Sequence, residues 1–200
     1  MPFLPRLRPA AVLPSGPVRR AAAALAALAL ALPLGGCGTV AALGQLEDGA
    51  GAEAGRVWDR WTESGGDIAV AATWARKVEP GVTVAQIEQA LASVASDMNI
   101  RPVGEPSLAG EGPRQPVLKV YAYCNPTIAR RMIAFSPHMA AFMPCRITLV
   151  EREDGLWLYT LNMDMMIRMG RRLPPDLKAD ALQVRDAIWQ MMDKGARGDF

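Results

Sequence analysis

Three stretches of the chain repeat apolar positions with a helical period. After Pro80-Gly81, the residues Ile87, Leu91, Val94 and Met98 recur three or four apart and share one helical face. Thr83 followed by Gln86 forms a capping box, in which hydroxyl and amide each satisfy an orphan backbone donor. Asn125-Pro126 opens a second helix: asparagine suits the cap, and proline lacks an N–H where none is needed. Ile128, Met132 and Phe135 face inward there, and Ser136-Pro137 stops the helix. Leu177, Ala181, Val184, Ile188 and Met191 mark a C-terminal helix, with Asp176 and Asp180 near its positive end.

Between these helices the pattern turns to β-branched and aromatic runs. IAVAATWARKV (68–78) reads as a strand, and VLKVYAYC (117–124) as a central one. MPCRITLVERE leads through Asp154-Gly155, a hairpin signal, into LWLYTLN. MDMMIRMG reads as a short helix closed by Gly170. Residues 103–116 are rich in proline and glycine and read as loop or short edge strand. Strands and helices mix without regular βαβ alternation, so the fold class is α+β, a small sheet with helices packed on it.

The amino-terminal part follows a different rule. Residues 21–34 form an uncharged apolar run, preceded by Arg6, Arg8, Arg19 and Arg20, with no acidic residue before Glu47. A basic stretch, a short apolar run and small residues form an export signal, too short to span a bilayer comfortably. The run ends Leu34-Gly35-Gly36-Cys37, which resembles a lipobox, so Cys37 is the expected lipidation site after removal of residues 1–36. Residues 37–66 then read as a flexible tether and a short helix, and residues 67–200 as one α+β domain. In that helix Val57, Trp58 and Trp61 fall at helical spacing. Because its polar face is not basic, packing on the domain is expected rather than lying in the lipid interface.

Losing the signal changes the charge account. Its four charges are all arginine, so the chain's +2 becomes −2, with eighteen basic against twenty acidic residues. No basic stripe remains, and nucleic acid is not an expected partner. The expected partners are the membrane, through the lipid anchor, and an envelope protein, for which Trp58 and Trp61 offer a docking segment. The expected address is the periplasmic side of the envelope. Gly38, rather than aspartate, follows the lipidated cysteine, which by resemblance to sorted lipoproteins favours the outer membrane.

Chemistry-bearing residues are few. Cys124 ends one strand and Cys145 opens the next, in a compartment where free thiols tend to be oxidised. If those ends adjoin, a disulfide would close a loop of roughly 20 residues and stabilise by about 3 kcal/mol. If the strands are parallel, the bridge cannot form. Metal or haem ligation and free thiols are the other two readings. His138, the single histidine, sits among Met139 and Met143, a soft donor set suited to Cu(I) or a haem iron. Met163, Met166 and Met169 recur every third residue, as a copper-holding stripe, a soft apolar groove or core filler would. The simpler reading of all these positions is a surface histidine among core methionines, with no cofactor expected and copper or haem as the alternative. There is no serine elbow, histidine metal pair or phosphate loop, so nothing argues for an enzyme.

YCNPTIARRMIAFSPHMAAFMPCRITLVEREDG, followed by LNMDMMI, resembles the bacterial domain-of-unknown-function family 302. The features that carry the likeness are Cys124-Asn125-Pro126, the helix after it, Met143-Pro144-Cys145-Arg146 and the strand to Asp154-Gly155. The resemblance spans roughly residues 67–170. It implies a compact α+β domain with helices against a curved antiparallel sheet, and implies no activity or catalytic residue. Exported members of this kind occur beside respiratory or sulfur chemistry, which would make a respiratory protein a partner. Two functions therefore stand: a non-enzymatic periplasmic binding or accessory module, or a redox or metal protein using Cys124, Cys145, His138 and nearby methionines.

Overall fold

The computed structural model describes residues 41–104 and 116–200. The export signal, Cys37 and most of the proline- and glycine-rich segment lie outside the described residues. Leu46–Phe200 forms one compact unit. Its elements are helices α1 (Ala50–Glu63) and α2 (Ile68–Ala71), strand β1 (Thr73–Lys77), helix α3 (Val84–Asp97), and strands β2 (Arg101–Pro102) and β3 (Leu118–Cys124). Helix α4 (Pro126–Phe135) and a 3-10 helix (Pro137–Phe142) follow, then strands β4 (Cys145–Arg152) and β5 (Gly155–Leu161), and helices α5 (Met163–Arg168) and α6 (Pro175–Arg197). Among the described residues no helix is long and apolar enough to cross a membrane.

The strands form one antiparallel sheet in the order β1-β5-β4-β3-β2. The fold is α+β. Side chains alternate across a strand, so the register sorts the sheet into two faces. Ile147 and Leu149 of β4 lie opposite Tyr121 and Lys119 of β3, and opposite Thr160 and Leu158 of β5. This face packs on α3 and α6 through Ile87, Leu91, Val94, Ile188, Met191 and Met192, which are almost fully buried. The other face carries Arg146, Thr148, Val150, Ala122, Tyr159 and Trp157.

Most local expectations hold. Thr83 and Gln86 form both halves of the capping box, and the Asn125 side chain accepts from the N–H groups of Thr127 and Ile128. Asp154-Gly155 turns the β4–β5 hairpin, with glycine at φ 118°, a conformation open to few other residues. Two readings need correction. The expected strand over 68–78 begins with a helical turn, because the Asp67 carboxylate caps the N–H of Ala69 and only Thr73–Lys77 pairs with β5. Strand β3 is not central, since its outer neighbour is the two-residue edge strand β2 and β4 takes the middle.

Residues 46–66, the later part of the segment 37–66 read as tether and short helix, include that helix as α1. They belong to the compact unit, and α1 runs fourteen residues. Two buried carboxylates hold it there. Glu47, 3% exposed, accepts from Lys178 Nζ (2.7 Å) and from the backbone N–H groups of Leu173 (3.0 Å) and Asp48 (2.9 Å). Glu53, 2% exposed, pairs with Arg56 and accepts from Asn162 Nδ2 (3.0 Å), the residue that also caps α5. A buried charge persists only when so satisfied.

Candidate functional site

The sheet ends where β3 finishes and β4 begins, and α4 is launched from that end by the Asn125 cap and Pro126. The chain returns through the 3-10 helix, exposed except for half-buried Met139, and re-enters the sheet at Cys145. Helix α5 leaves the same end after Leu161, and the first turns of α6 pass beneath it. These elements do not close on one another. Between them lies a cavity of about 310 Å³, within the roughly 300–1,000 Å³ typical of small-molecule sites.

Its wall is unusual in sulfur. Cys124, Cys145, Met132, Met139, Met143, Met163 and Met166 all line it. Ile128, Ile167, Leu161 and Val184 supply aliphatic surface, and Thr148, Tyr159, Thr160 and Asn125 supply uncharged polar groups. Arg146 is the single formally charged lining residue.

The thiols are not poised as nucleophiles. The register sets Cys145 opposite Tyr123, so Cys124, one residue further, projects to the other face of β3. Both cysteines are free, and the expected disulfide between them is not formed in this structure. The strands are antiparallel and their ends do adjoin; alternation across the sheet, not distance along it, separates the thiols. Burial pushes the Cys145 thiol up to about 11, the nearby Cys124 adds to that, and Arg146 offsets part of it. Burial raises Cys124 as well. Buried Tyr123 is pushed up to about 12, so its hydroxyl is also neutral near pH 7.

Of the expected metal residues, Met139, Met143, Met163 and Met166 converge on this cavity. His138 and Met169 do not. His138 lies exposed on the 3-10 helix, and Met169 caps the end of α5 with 41% of its surface exposed. Among the described residues no cluster of three or more histidine, cysteine, aspartate or glutamate side chains is placed to hold a metal ion. Sequence reasoning missed two members of the wall, Met132 as a sulfur donor and Arg146 as its charge. Arg146 had a signal: a cation alternating with Ile147 and Leu149 must face away from the main core.

The domain family described as "Domain of unknown function DUF302" matches residues 76–195, which takes in α6 as well as the segment carrying the resemblance. Among solved structures, the crystal structure of an uncharacterized conserved DUF302 protein from Bacillus stearothermophilus is similar at 15% identity and a TM-score of 0.47. That likeness covers 61% of this chain and 96% of the other. No curated protein matches the chain. With 120 of its 200 residues, from the end of β1 through nearly all of α6, inside the match, the chain belongs to the DUF302 family.

Proposed function

We propose that this chain is an exported lipoprotein, anchored through Cys37, whose domain is a non-enzymatic binding module for a small apolar molecule. The observation that carries the reading is the sulfur-lined cavity at the sheet end, with its neutral thiols and near-absence of charge. Methionine repacks readily around apolar ligands of differing shape, which suits a carrier or sensor more than a catalyst. An acyl anchor at the start of the chain would keep such a module at a lipid surface, where apolar molecules concentrate. The outer membrane is the preferred address and an envelope or respiratory protein the preferred partner.

The test uses the full chain in lipid nanodiscs, with decanol as the apolar probe and alkylation of Cys124 and Cys145 as the readout. Saturable protection of both thiols supports the reading, and alkylation rates indifferent to decanol overturn it. The address is tested by mass spectrometry of the native amino terminus: acylated Cys37 is expected, and an intact Met1 would refute it.

A second reading is supported by the same seven sulfur atoms. Thioethers and thiols suit Cu(I), and sulfur alone suffices for that ion without an imidazole. Anaerobic titration with Cu(I) against a competing chelator decides it. Tight one-to-one retention that weakens in Met139→Leu and Met166→Leu would favour copper; no retention leaves the apolar ligand.

A further inference from the structure

We propose that the cavity takes an amphiphile with an anionic head, a fatty carboxylate, seated with its head on Arg146 and its alkyl chain among the methionines. This rests on the binding reading above and adds the ligand's charge and orientation.

The wall itself has the polarity of such a molecule. Its interior is Met132, Met139, Met166, Ile128 and Ile167, and the wall includes no acidic residue. Arg146 is exposed and therefore stands at the rim. No described residue forms an ion pair with it, which is true also of Arg60, Arg101, Arg130 and Arg171, but Arg146 alone of these lines the cavity. Its strand neighbours explain the missing ion pair. Ala122 on β3 lies directly opposite it, and on β5 the register reaches Leu161, so neither side offers a counter-charge.

The same sheet face carries Thr148 two residues along β4, with Tyr159 directly across from it. Both line the cavity; the Tyr159 hydroxyl accepts from Arg152 Nη1 (2.8 Å), and Thr148 offers its hydroxyl on the same sheet face as Arg146. A carboxylate there would accept from the planar guanidinium fork and from a hydroxyl, a charge-assisted arrangement stronger than a neutral hydrogen bond. A cationic amphiphile would meet Arg146 as a like charge with no acid nearby to offset it. The interior supplies affinity through apolar burial, and the rim supplies orientation.

The experiment again reads protection of Cys124 and Cys145 from iodoacetamide, with the full chain in nanodiscs and free probe concentrations measured against protein-free discs. The probes are decanoate, decanol and decyltrimethylammonium at pH 7.5. Decanoate is expected to protect at about tenfold lower free concentration than decanol, and decyltrimethylammonium to be the weakest. Lengthening octanoate to decanoate should tighten binding about fourfold per methylene. Arg146→Gln should erase the difference between decanoate and decanol. Equal binding of decanoate and decanol, or a preference that survives Arg146→Gln, overturns the head assignment and leaves the apolar site standing. Absence of protection by all three probes overturns both.

Discussion

The domain has two apolar regions built to different standards. Between sheet, α3 and α6, the residues Ile87, Leu91, Ile147, Leu149, Leu158 and Ile188 are fully buried. Between α4, α5 and the start of α6, the cluster of Met132, Ile167, Leu173, Leu177 and Ala181 is closed by only partly buried neighbours, Ile128, Phe135, Met139 and Met143. The first region is dominated by branched side chains with defined rotamers, although it also buries Met191 and Met192; in the second, Met132, Met139 and Met143 stand around an open cavity. The contrast teaches a division of labour. Sheet and long helices hold the fold, while the sheet-end helices keep a space that adaptable side chains can reshape.

Truncation is the sharpest way to break this contrast. Ile147→Ala should cost about 4 kcal/mol, because its dense surroundings cannot collapse into the void. Met132→Ala should cost about 2 kcal/mol, since one side of that residue already faces the cavity. Urea denaturation measures both. Equal costs would mean that the second region is packed like the first.

Next in size is the latch on the second region. Lys178 holds the Glu47 carboxyl down at about 2 against an ordinary 4.5, and the N–H groups of Leu173 and Asp48 act in the same direction against burial. The folded state therefore releases that proton more readily than the unfolded chain. Its stabilisation is complete above pH 4.5 and is lost as pH falls toward 2. Glu47→Gln should cost about 2 kcal/mol near pH 7 and much less at pH 2. Because Leu173 belongs to the second cluster, hydrogen-exchange protection factors, corrected for the intrinsic rate at each pH, should fall at Leu173–Ala181 before they do in β4 as pH drops from 5 to 2. Simultaneous loss of protection would show one cooperative core instead of two regions.

A smaller effect probes the density of the first region from the opposite side. A Cβ at Gly195 would lie 3.2 Å from Leu158 Cδ1, 3.5 Å from Leu91 Cδ2 and 3.6 Å from Ile87 Cγ2. Alanine favours a helix by about 1 kcal/mol over glycine. Gly195→Ala should nevertheless destabilise by about 1 kcal/mol net, as the crowded aliphatic groups must shift. A stabilised variant would reveal slack where the contrast requires none.

How much of this could be read from the chain follows the same line. Elements specified by local chemistry were legible: the Thr83–Gln86 box, the Asn125-Pro126 start, the Asp154-Gly155 turn and the stripe from Leu177 to Met191. What depended on distant partners was not. Glu47 and Glu53 sit among alanine and glycine, and only Lys178, Leu173 and Asn162, more than a hundred residues away, turn that segment from tether into part of the fold. For Cys124 and Cys145, adjacency of the strand ends could be weighed in advance, but their opposite projections needed the register of β3 on β4. Met139 and Met143 were visible beside His138, yet the histidine is exposed and the methionines line the sheet-end cavity with Met132 instead.

The finest test exchanges shape at constant volume. Leu158 is fully buried between sheet and α3, and its γ-branched end fits the gap beside Gly195 and Leu91. Leu158→Met should cost about 1 kcal/mol, since an unbranched chain cannot fill a branched site without strain or loss of contact. Met166 stands at the cavity wall with free space before it, so Met166→Leu should change stability by less than about 0.5 kcal/mol. Both can be measured in one series of urea transitions with common slopes. Tolerance in the wall combined with intolerance under the sheet would tie methionine's presence there to adaptability. Equal costs at the two sites would instead assign the wall methionines an ordinary packing role, and the reason for preferring them around an open space would be gone.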